Sequence, residues 1–425
     1  MKDDMGGNAE TDCCADGHHG PALKLEDALE RILAEVEPVS GTETVPLTEA
    51  LGRVLGADVV SRIDVPAHTN SAMDGYAVRG DDLLPDTETC LDVIGVAAAG
   101  RPFEDIVAAG QCVRILTGAP LPEGADTVVM QEQVTRDDDT ATIRPGQAHG
   151  QHVRQAGEDI AAGEVALAAG VPLMPAELGM LASVGVTEVS VRRRPRVAFF
   201  STGDELRGVG EPLEKGQIYD SNRYTIQGML TRIGVESIDM GVVRDNRSDV
   251  EEAFARAAEQ ADAVVTSGGV SVGDADYVQV TLDKMGSVGF WKVAIKPGRP
   301  LAFGRIGDAL FFGLPGNPVS AMVTFYQLVR PALRALAGMP DEGPPLTVTA
   351  VSSGALRKKP GRREFQRGVL TRNADGQLQV RRAGHQGSGV LSSMNAANCF
   401  IVLAEDAGPV SAGDEVTVQP FSTFV

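Results

Sequence analysis

Residues 248–277, SDVEEAFARAAEQADAVVTSGGVSVGDADY, decide the fold class. The first part predicts a helix, the apolar run ADAVV is typical of a buried strand, and a glycine-rich loop follows the strand. The same alternation of strand and helix continues through residues 195–343. Such alternation predicts a parallel or mixed sheet covered on both faces, because each crossover lays a helix on the sheet.

The composition limits the classes of protein that fit. A chain of 425 residues suggests two to four domains. A net charge of −20 argues against general nucleic-acid binding. No uncharged apolar stretch is long enough for a membrane span, and the acidic N-terminus lacks the apolar segment of a signal peptide. The five cysteines show no disulfide spacing, which predicts a cytoplasmic chain with reduced thiols.

The first 21 residues contain Cys13-Cys14 and, a few residues later, His18-His19. These side chains could bind a soft metal, but adjacent cysteines do not have the spacing of a structural zinc site. We therefore predict a disordered tail over residues 1–21.

Short β-prone runs replace the helix–strand alternation on both sides of the α/β region. They occupy residues 43–60 and 88–150, where the acidic run RDDDT (136–140) predicts a hairpin tip, and they return from residue 344 onward. The C-terminal segment carries nine basic and six acidic residues, a net charge of +3. This charge is either a solvated basic surface or a binding site for an anion.

Three strand ends of the α/β region lead into loops rich in glycine: STGDEL (201–206), SGGVSVGDADY (267–277) and GLPGNPVSA (313–321). Ligands of open α/β sheets bind at the carboxyl ends of strands, so we expect these loops to share one site. Gly313 and Gly316 would let the backbone approach an anion, and Asn317-Pro318 is typical of a helix start. A purely structural turn is the alternative.

The loop SGGVSVGDADY combines features of an anion site and of a metal site. Gly268 and Gly269 permit a tight turn, and Ser271 offers a hydroxyl group. Asp274 fits an N-cap, whereas Asp276 together with Glu205 could hold Mg²⁺ through carboxylate oxygens and water. A cation there would reconcile acidic side chains with a phosphate-bearing ligand.

A turn in VAIKPGRPLAFG (293–304) supplies the opposite charge. Lys296 and Arg299 flank Pro297-Gly298, so two cations project from a constrained turn between strands. Arg299 can donate two parallel hydrogen bonds to an oxyanion, while Lys296 acts as a point charge. Exposed basic residues that are merely solvated are the alternative.

Seven motifs occur in a specific order along the chain: MDGYAVR, TGAPLPEGADTVVMQE, STGDEL, GQIYDSN, SGGVSVGDADY, AIKPGRP and GLPGNPVSA. In this order they resemble the molybdopterin molybdenumtransferase family, which is the MoeA family and is related to the E domain of gephyrin. The resemblance covers residues 22–425. It implies α/β plus β architecture, with a central α/β three-layer domain containing a mixed sheet, a β-rich insertion domain and a C-terminal β-barrel-like domain.

With the resemblance, the chain divides into a tail and four predicted domains. These are a discontinuous N-terminal domain at 22–60 and 151–194, the insertion domain at 61–150, the central molybdopterin-binding domain at 195–343 and the C-terminal domain at 344–425. The family further implies an elongated homodimer whose site lies between the central domain of one subunit and the insertion domain of the other.

The resemblance also implies a reaction. Adenylylated molybdopterin and molybdate would yield molybdenum cofactor and AMP, with Mg²⁺ as the metal ion. Other proteins of cofactor biosynthesis are expected as further partners. The rival hypotheses are the transfer of AMP from ATP to molybdopterin, an interaction scaffold, and a relative that binds cofactor without catalysis. We find no Ser/His/Asp or Cys/His arrangement that would indicate nucleophilic catalysis.

Residue roles transfer by motif. The resemblance implies catalytic roles for five acidic or hydroxyl side chains: Asp74, Thr117, Glu205, Asp245 and Asp276. It implies that molybdate or nucleotide phosphate is held by Ser271, Lys296, Arg299, Pro300, Arg362 and Ser393. The last two belong to a loose alignment in which Arg363, Arg367 and Ser388 are alternatives.

The sequence departs from the family pattern at two positions. Arg299 stands where many members have lysine, which keeps the charge but changes the geometry of the donors. Arg363 stands where a proline is common, which weakens the assignment of Arg362.

Overall fold

The computed structural model describes residues 22–268, 281–282 and 284–421. Thr42–Arg192 forms one compact unit, and the described residues on either side of it form another. Five of the predictions concern residues outside the described ones: the tail at 1–21, Gly269, Ser271, Asp274 and Asp276. No helix in the described part of the chain is long and apolar enough to cross a membrane.

The apolar residues of LEDALERILAEVEP (25–38) recur at helical spacing, which predicts a helix closed by Pro38. Helix α1, Leu25–Ala34, forms in this stretch. Leu25, Ala28 and Ile32 recur at helical spacing and are buried. They belong to the same apolar core as the central sheet described below.

The unit Thr42–Arg192 is rich in short strands. In chain order these are β1 Thr42–Pro46, β2 Val59–Val60, β3 Asn70–Ser71, β4 Gly75–Val78, β5 Thr89–Ala97, β6 Gln111–Ile115, β7 Thr127–Met130, β8 Val134–Asp137, β9 Thr140–Ile143, β10 Val153–Arg154, β11 Val165–Leu167 and β12 Glu188–Arg192. Helix α2, Pro175–Ser183, precedes β12, and short 3₁₀ turns occupy Leu47–Glu49, Gly80–Asp82 and Gln131–Gln133.

Six of these strands form one sheet in the order β7-β4-β6-β5-β9-β8. Both faces of the sheet are covered by apolar side chains, including Val129 on one face and Val128 on the other. The predicted hairpin tip is confirmed, since β8 and β9 pair antiparallel from Asp137 opposite Thr140, with Asp138 in the left-handed region at φ 48°.

The second unit contains the alternating α/β elements. In chain order they are β13 Arg196–Thr202, β14 Leu206–Arg207, β15 Ile218–Tyr219, α3 Ser221–Ile233, β16 Glu236–Val243, α4 Arg247–Gln260, β17 Ala263–Ser267, β18 Gly286–Lys292, β19 Ile295–Lys296, β20 Pro300–Ile306, β21 Ala309–Leu314 and α5 Pro318–Thr324. A π-helical turn at Phe325–Val329 and helix α6, Arg330–Leu336, follow α5.

The central sheet has the order β16-β13-β17-β21-β20-β18. The first four strands are parallel, and β20 and β18 are antiparallel to their neighbours. Helices α1, α3, α5 and α6 cover one face, where Phe199 and Phe312 are buried. Helix α4 covers the other face, where Phe254 packs edge-on against Phe200 and Phe311. The mixed sheet between two helical layers confirms the predicted three-layer domain.

The C-terminal elements are β22 Val348–Ser352, β23 Arg363–Arg372, β24 Leu378–Arg382, the one-turn helix α7 Leu391–Asn395, β25 Cys399–Leu403 and β26 Glu415–Pro420. Strands β23, β24, β22, β26 and β25 pair in that order, and β25 pairs again with β23. The five strands therefore close into a barrel, as predicted. The finer boundaries between the predicted domains remain a prediction.

Candidate functional site

The carboxyl ends of the four parallel strands bring predicted site residues to one edge of the central sheet. Glu205 follows β13, Asp245 follows β16, and Gly268 follows β17. The two acidic loops are in contact, since the backbone N–H of Asp245 donates to the Asp204 carboxylate at 3.3 Å. Glu205 and Asp245 are both exposed to solvent.

Backbone segments approach closely at this edge because Gly268 and Gly316 have no side chains. Gly268 has φ 93°, and a Cβ atom there would lie 2.7 Å from the carbonyl oxygen of Thr202. A Cβ atom on Gly316 would lie 3.9 Å from the Cα of Gly268. Gly313 instead lies inside β21, paired with Thr266 and Ala302, so it belongs to the sheet rather than to the loop.

Asn222 joins these two glycine loops from the first turn of α3. Its side-chain amide donates to the Ser267 hydroxyl and to the Gly316 carbonyl, each at 2.7 Å. The residue is 9% exposed, so both bonds are shielded from water. Sequence reasoning did not single out Asn222, although it quoted GQIYDSN as a motif. Its place in that motif was the available signal, since its burial is not visible in the sequence.

Several buried oxygen atoms near this edge have no partner among the described residues. They are Thr202 Oγ1, Asp220 Oδ2, Asn222 Oδ1 and Thr266 Oγ1. No group of three or more His, Cys, Asp or Glu residues suited to a metal ion occurs within the described part of the chain. Glu205, Asp204 and Asp245 nevertheless offer carboxylate oxygens, the donors that Mg²⁺ takes one or two at a time beside water and phosphate. The donor chemistry fits Mg²⁺.

The basic turn lies between β19 and β20, as predicted. Gly298 has φ 102°, and a Cβ atom there would lie 2.6 Å from Thr324 Oγ1, so only glycine fits this turn. The Lys296 side chain is 48% exposed, and its Nζ lies 3.5 Å from Glu364 Oε1. Pro300 starts β20 opposite Lys292.

Arg299 and Arg362 line one cavity of about 280 Å³, together with Ala22, Pro360 and Gly361. The Nε atom of Arg299 is buried and has no partner among the described residues. Two arginines that line one cavity bring positive charge to it, which suits an oxyanion.

Ser393 lies elsewhere in the barrel, beside Arg367 rather than Arg362. Its hydroxyl accepts from Arg367 Nε at 3.1 Å and donates to the Val390 carbonyl at 2.7 Å. Burial, reinforced by repulsion from Arg382, lowers the pKa of Arg367 to about 10. Arg367 was one of the alternatives to Arg362 in the sequence.

The loop after β24 reaches the GLPGNP turn. Arg367 Nη2 donates to the Gly387 carbonyl at 3.1 Å, and the backbone N–H of Val319 donates to the Ser388 carbonyl at 3.0 Å. Asn317 stands at the N-cap of α5 without a capping side-chain bond. The first turn of α5 is therefore in contact with the barrel.

In the unit Thr42–Arg192, the predicted residues Asp74 and Thr117 are directly bonded. The Asp74 carboxylate accepts from the Thr117 hydroxyl at 2.7 Å and from its backbone N–H at 2.8 Å. These bonds, together with nearby Arg114, hold the pKa of Asp74 below its usual value of 3.8. The Arg114 guanidinium also donates to the Gly75 carbonyl at 2.7 Å and lies over the Tyr76 ring. An ionised carboxylate is thus fixed at the start of β4.

Two of the three described thiols are buried. Burial raises the pKa of Cys112 and of Cys399 to about 12, whereas Cys90 is exposed, with its Sγ 3.7 Å from Thr142 Oγ1. Since the thiolate is the nucleophilic form, the two buried cysteines are inert near neutral pH.

Comparison with known proteins identifies the family. Residues 23–185 match the MoeA N-terminal region (domain I and II), residues 198–335 a probable molybdopterin binding domain, and residues 349–421 the MoeA C-terminal region (domain IV). The chain belongs to the MoeA family. The family predicted from the seven motifs is confirmed.

Individual relatives agree with this membership. The molybdopterin molybdenumtransferase of Haemophilus influenzae is 47% identical over 94% of this chain and 99% of its own length. Molybdopterin molybdenumtransferase 2 of Mycobacterium tuberculosis is 37% identical over 92% of this chain and 97% of its own. The crystal structure of the molybdopterin biosynthesis moeA protein from Pyrococcus horikoshii superposes with a TM-score of 0.80, at 32% identity, covering 94% of this chain and 100% of that one.

Replacing Thr117 with valine should raise the pKa of Asp74 toward 3.8, because the hydroxyl bond that favours the ionised carboxylate is removed. The backbone N–H bond remains, so the rise should stop short of the ordinary value. Titration of the carboxyl carbon by NMR measures the shift. Thr135→Val, at an exposed position of the same unit, should leave the Asp74 titration unchanged. An unaltered Asp74 pKa in Thr117→Val would contradict the assigned cause.

Replacing Asn222 with alanine should lower the free energy of unfolding by about 2–3 kcal/mol, because a buried hydroxyl and a buried carbonyl lose their donor. Amide hydrogen exchange should quicken across residues 313–321. Asn373→Ala is the matched control, since the Asn373 side chain also makes several bonds but in an exposed turn: it accepts from the backbone N–H groups of Asp375 and Gln377 and donates to Gln377 Oε1. It should cost about 1 kcal/mol and leave exchange at 313–321 unchanged. Equal exchange in both variants would refute the role of Asn222.

Proposed function

We propose that this chain inserts molybdate into adenylylated molybdopterin, releasing AMP and forming molybdenum cofactor. The observation that carries the proposal is the match of all three MoeA regions, in order, along the chain. Relatives that cover nearly the whole chain are named molybdopterin molybdenumtransferases, which supports an enzyme of molybdenum cofactor biosynthesis. A transferase that handles anionic substrates also accounts for the basic groups collected on an acidic chain.

The oxyanion is held by the basic turn and the barrel. Lys296 supplies an exposed ammonium group, and the arginines Arg299 and Arg362 line one cavity. Cleavage of a phosphoanhydride beside molybdate depends on positioning and on neutralising charge more than on a strong base. Ser271 and Pro300 complete the set of molybdate or phosphate contacts, and Ser393 is a further candidate beside Arg367.

The acidic residues bind and orient the phosphoanhydride of the substrate. Glu205 and Asp276 would hold Mg²⁺, and a bound Mg²⁺ would neutralise the phosphate oxygens next to the carboxylates. Asp245 lies at the same sheet edge as Glu205. Asp74 is ionised near neutral pH, and its two bonds from Thr117 hold the carboxylate in place, so it acts as a fixed acceptor of hydrogen bonds from substrate.

Gly268, Gly269, Gly316 and Asn317 shape the surface on which the nucleotide and pterin lie. Close approach of the backbone at Gly268 and Gly316 supports this role. Gly313 contributes indirectly, by setting the path of β21 into the turn.

We further propose that the protein acts in the cytoplasm, with other proteins of cofactor biosynthesis as partners. Three free cysteines among the described residues agree with a reducing compartment.

A homodimer is part of the proposal. The segment from β14 to the first turns of α3 exposes several large apolar side chains: Val209, Leu213, Ile218, Tyr219 and Tyr224. Exposed apolar patches mark interaction sites, and a second copy of this chain would cover this one. Light scattering should give about twice the chain mass of 44.5 kDa. A mass equal to one chain at micromolar concentration would contradict the homodimer.

The activity itself is tested with adenylylated molybdopterin, Mg²⁺ and molybdate. We expect AMP release that depends on molybdate and stops on chelation of Mg²⁺. Tight binding of the nucleotide without release would indicate a scaffold, and adenylylation that consumes ATP would indicate the sister activity. Either result would overturn the proposal.

In the same assay, Arg299→Gln and Arg362→Gln should each lower kcat/KM for molybdate about 10- to 100-fold, because each removes a charged donor to the oxyanion. Arg299→Lys should stay within about 5-fold of wild type, since the charge is kept. Arg256→Gln is the control, because Arg256 is an exposed arginine on α4. Full activity in both glutamine variants would remove the arginine-lined cavity from the mechanism.

A further inference from the structure

Glu364 is a buried carboxylate beside the exposed Lys296 ammonium. The residue is 5% exposed, and its Oε1 lies 3.5 Å from Lys296 Nζ. No other carboxylate among the described residues forms an ion pair with Lys296. Glu364 lies outside the seven sequence motifs. It belongs to strand β23 of the barrel, far from Lys296 along the chain.

The backbone fixes the two residues opposite each other. Strand β19 pairs in parallel with β23, which places Ile295 opposite Arg363 and Lys296 opposite Glu364. The backbone N–H of Arg363 also donates to the Ala294 carbonyl at 2.8 Å. Strand register therefore places the two side chains next to each other, within reach of an ion pair.

The far side of the carboxylate is also held. Gln366 Nε2 donates to Glu364 Oε2 at 3.0 Å and to the Arg357 carbonyl at 2.8 Å. Glu364 thus has one oxygen for Gln366 and one for Lys296. Such a carboxylate cannot swing away when an anion arrives at Lys296.

A fixed negative charge has a definite effect on an oxyanion at this point. An anion that accepts a hydrogen bond from Lys296 Nζ lies within about 6 Å of the Glu364 carboxylate, well inside the Debye length of about 8 Å. The carboxylate repels it, while the same carboxylate keeps the flexible lysine side chain in place.

We propose that Glu364 is a positioning residue that holds the Lys296 ammonium and, through its charge, limits how tightly that ammonium binds molybdate. The inference rests on the proposed function, in which Lys296 contacts the oxyanion. As a consequence, the Lys296 ammonium binds oxyanions weakly enough for anionic products to leave the site.

The test compares molybdate binding in three variants of the full chain, by equilibrium dialysis with molybdate as the only ligand. Glu364→Gln has the same size and can still accept from Gln366, so it removes charge with little change in shape. Its Kd for molybdate should fall about 3- to 10-fold below that of wild type. Glu364→Asp keeps the charge and should stay within about 2-fold. Glu252→Gln makes the same change in net charge at an exposed position of α4 and should leave Kd unaltered.

A second set isolates the coupling to Lys296. In the Lys296→Met background, adding Glu364→Gln should tighten molybdate binding by a smaller factor than it does in wild type, because the anion is no longer drawn to the ammonium beside the carboxylate. In turnover, Glu364→Gln should lower KM for molybdate by a similar factor without raising kcat. A purely structural role would move the thermal midpoint, not this split between KM and kcat.

The outcomes separate the two proposals. If wild type binds no molybdate at millimolar concentration, the proposed function fails and the inference fails with it. If wild type binds molybdate and Glu364→Gln binds it equally well or more weakly, only the inference fails. Tightening in Glu364→Asp equal to that in Glu364→Gln would also overturn it, because charge would then not be the cause.

Discussion

The backbone groups of β16, β13, β17 and β21 pair in a parallel register, so these four strands end at the same edge of the central sheet. This shared direction collects a glycine loop, two acidic loops and the GLPGNP turn within a small space. Ligands of such sheets bind where strand ends converge, because the backbone there has unused hydrogen-bonding groups. Asn222 then fixes the spacing of two of these loops with a single side chain.

A second strand pairing connects the region of the central sheet to the barrel. The parallel pairing of β19 with β23 attaches the basic turn to a strand of the C-terminal domain. The contact between Val319 and Ser388 adds a second attachment, at the start of α5. Because both connections lie beside residues of the candidate site, the barrel takes part in shaping the site and is more than a stabilising appendage.

Much of the fold followed from local pattern. Helix–strand alternation predicted the three-layer sheet, and helical spacing predicted α1, although the helix ends at Ala34, four residues before Pro38. Local sequence pattern could not predict which residues far apart in the chain lie next to each other. Whether Arg362 lies near Ser393 or near Arg299 depends on how β23 and α7 pack in the barrel, which no local spacing encodes. The structure places Arg362 with Arg299 and Ser393 with Arg367.

The features of the candidate site differ in how far the sequence could predict them. They are the acidic loops, the Asp74–Thr117 pair and the arginine-lined cavity. Asp74 and Thr117 could be named only by resemblance, because their hydrogen bond joins β4 to the loop after β6. Glu364 could not be named at all, since a single glutamate in a basic segment carries no sign of its burial. Burial and strand register are tertiary properties, and they determine which charged side chains lie in the candidate site.

The arginine-lined cavity is an island of positive charge on a chain whose net charge is −20. A dianion that diffuses from afar is repelled by the field of the whole chain, and the local cations dominate only within about one screening length. Added salt therefore shortens the reach of the repulsion more than it weakens contacts inside the cavity. Such a site selects its anions at short range. As ionic strength rises, the rate at which an anion associates with the site should increase, even though its binding in the cavity becomes somewhat weaker.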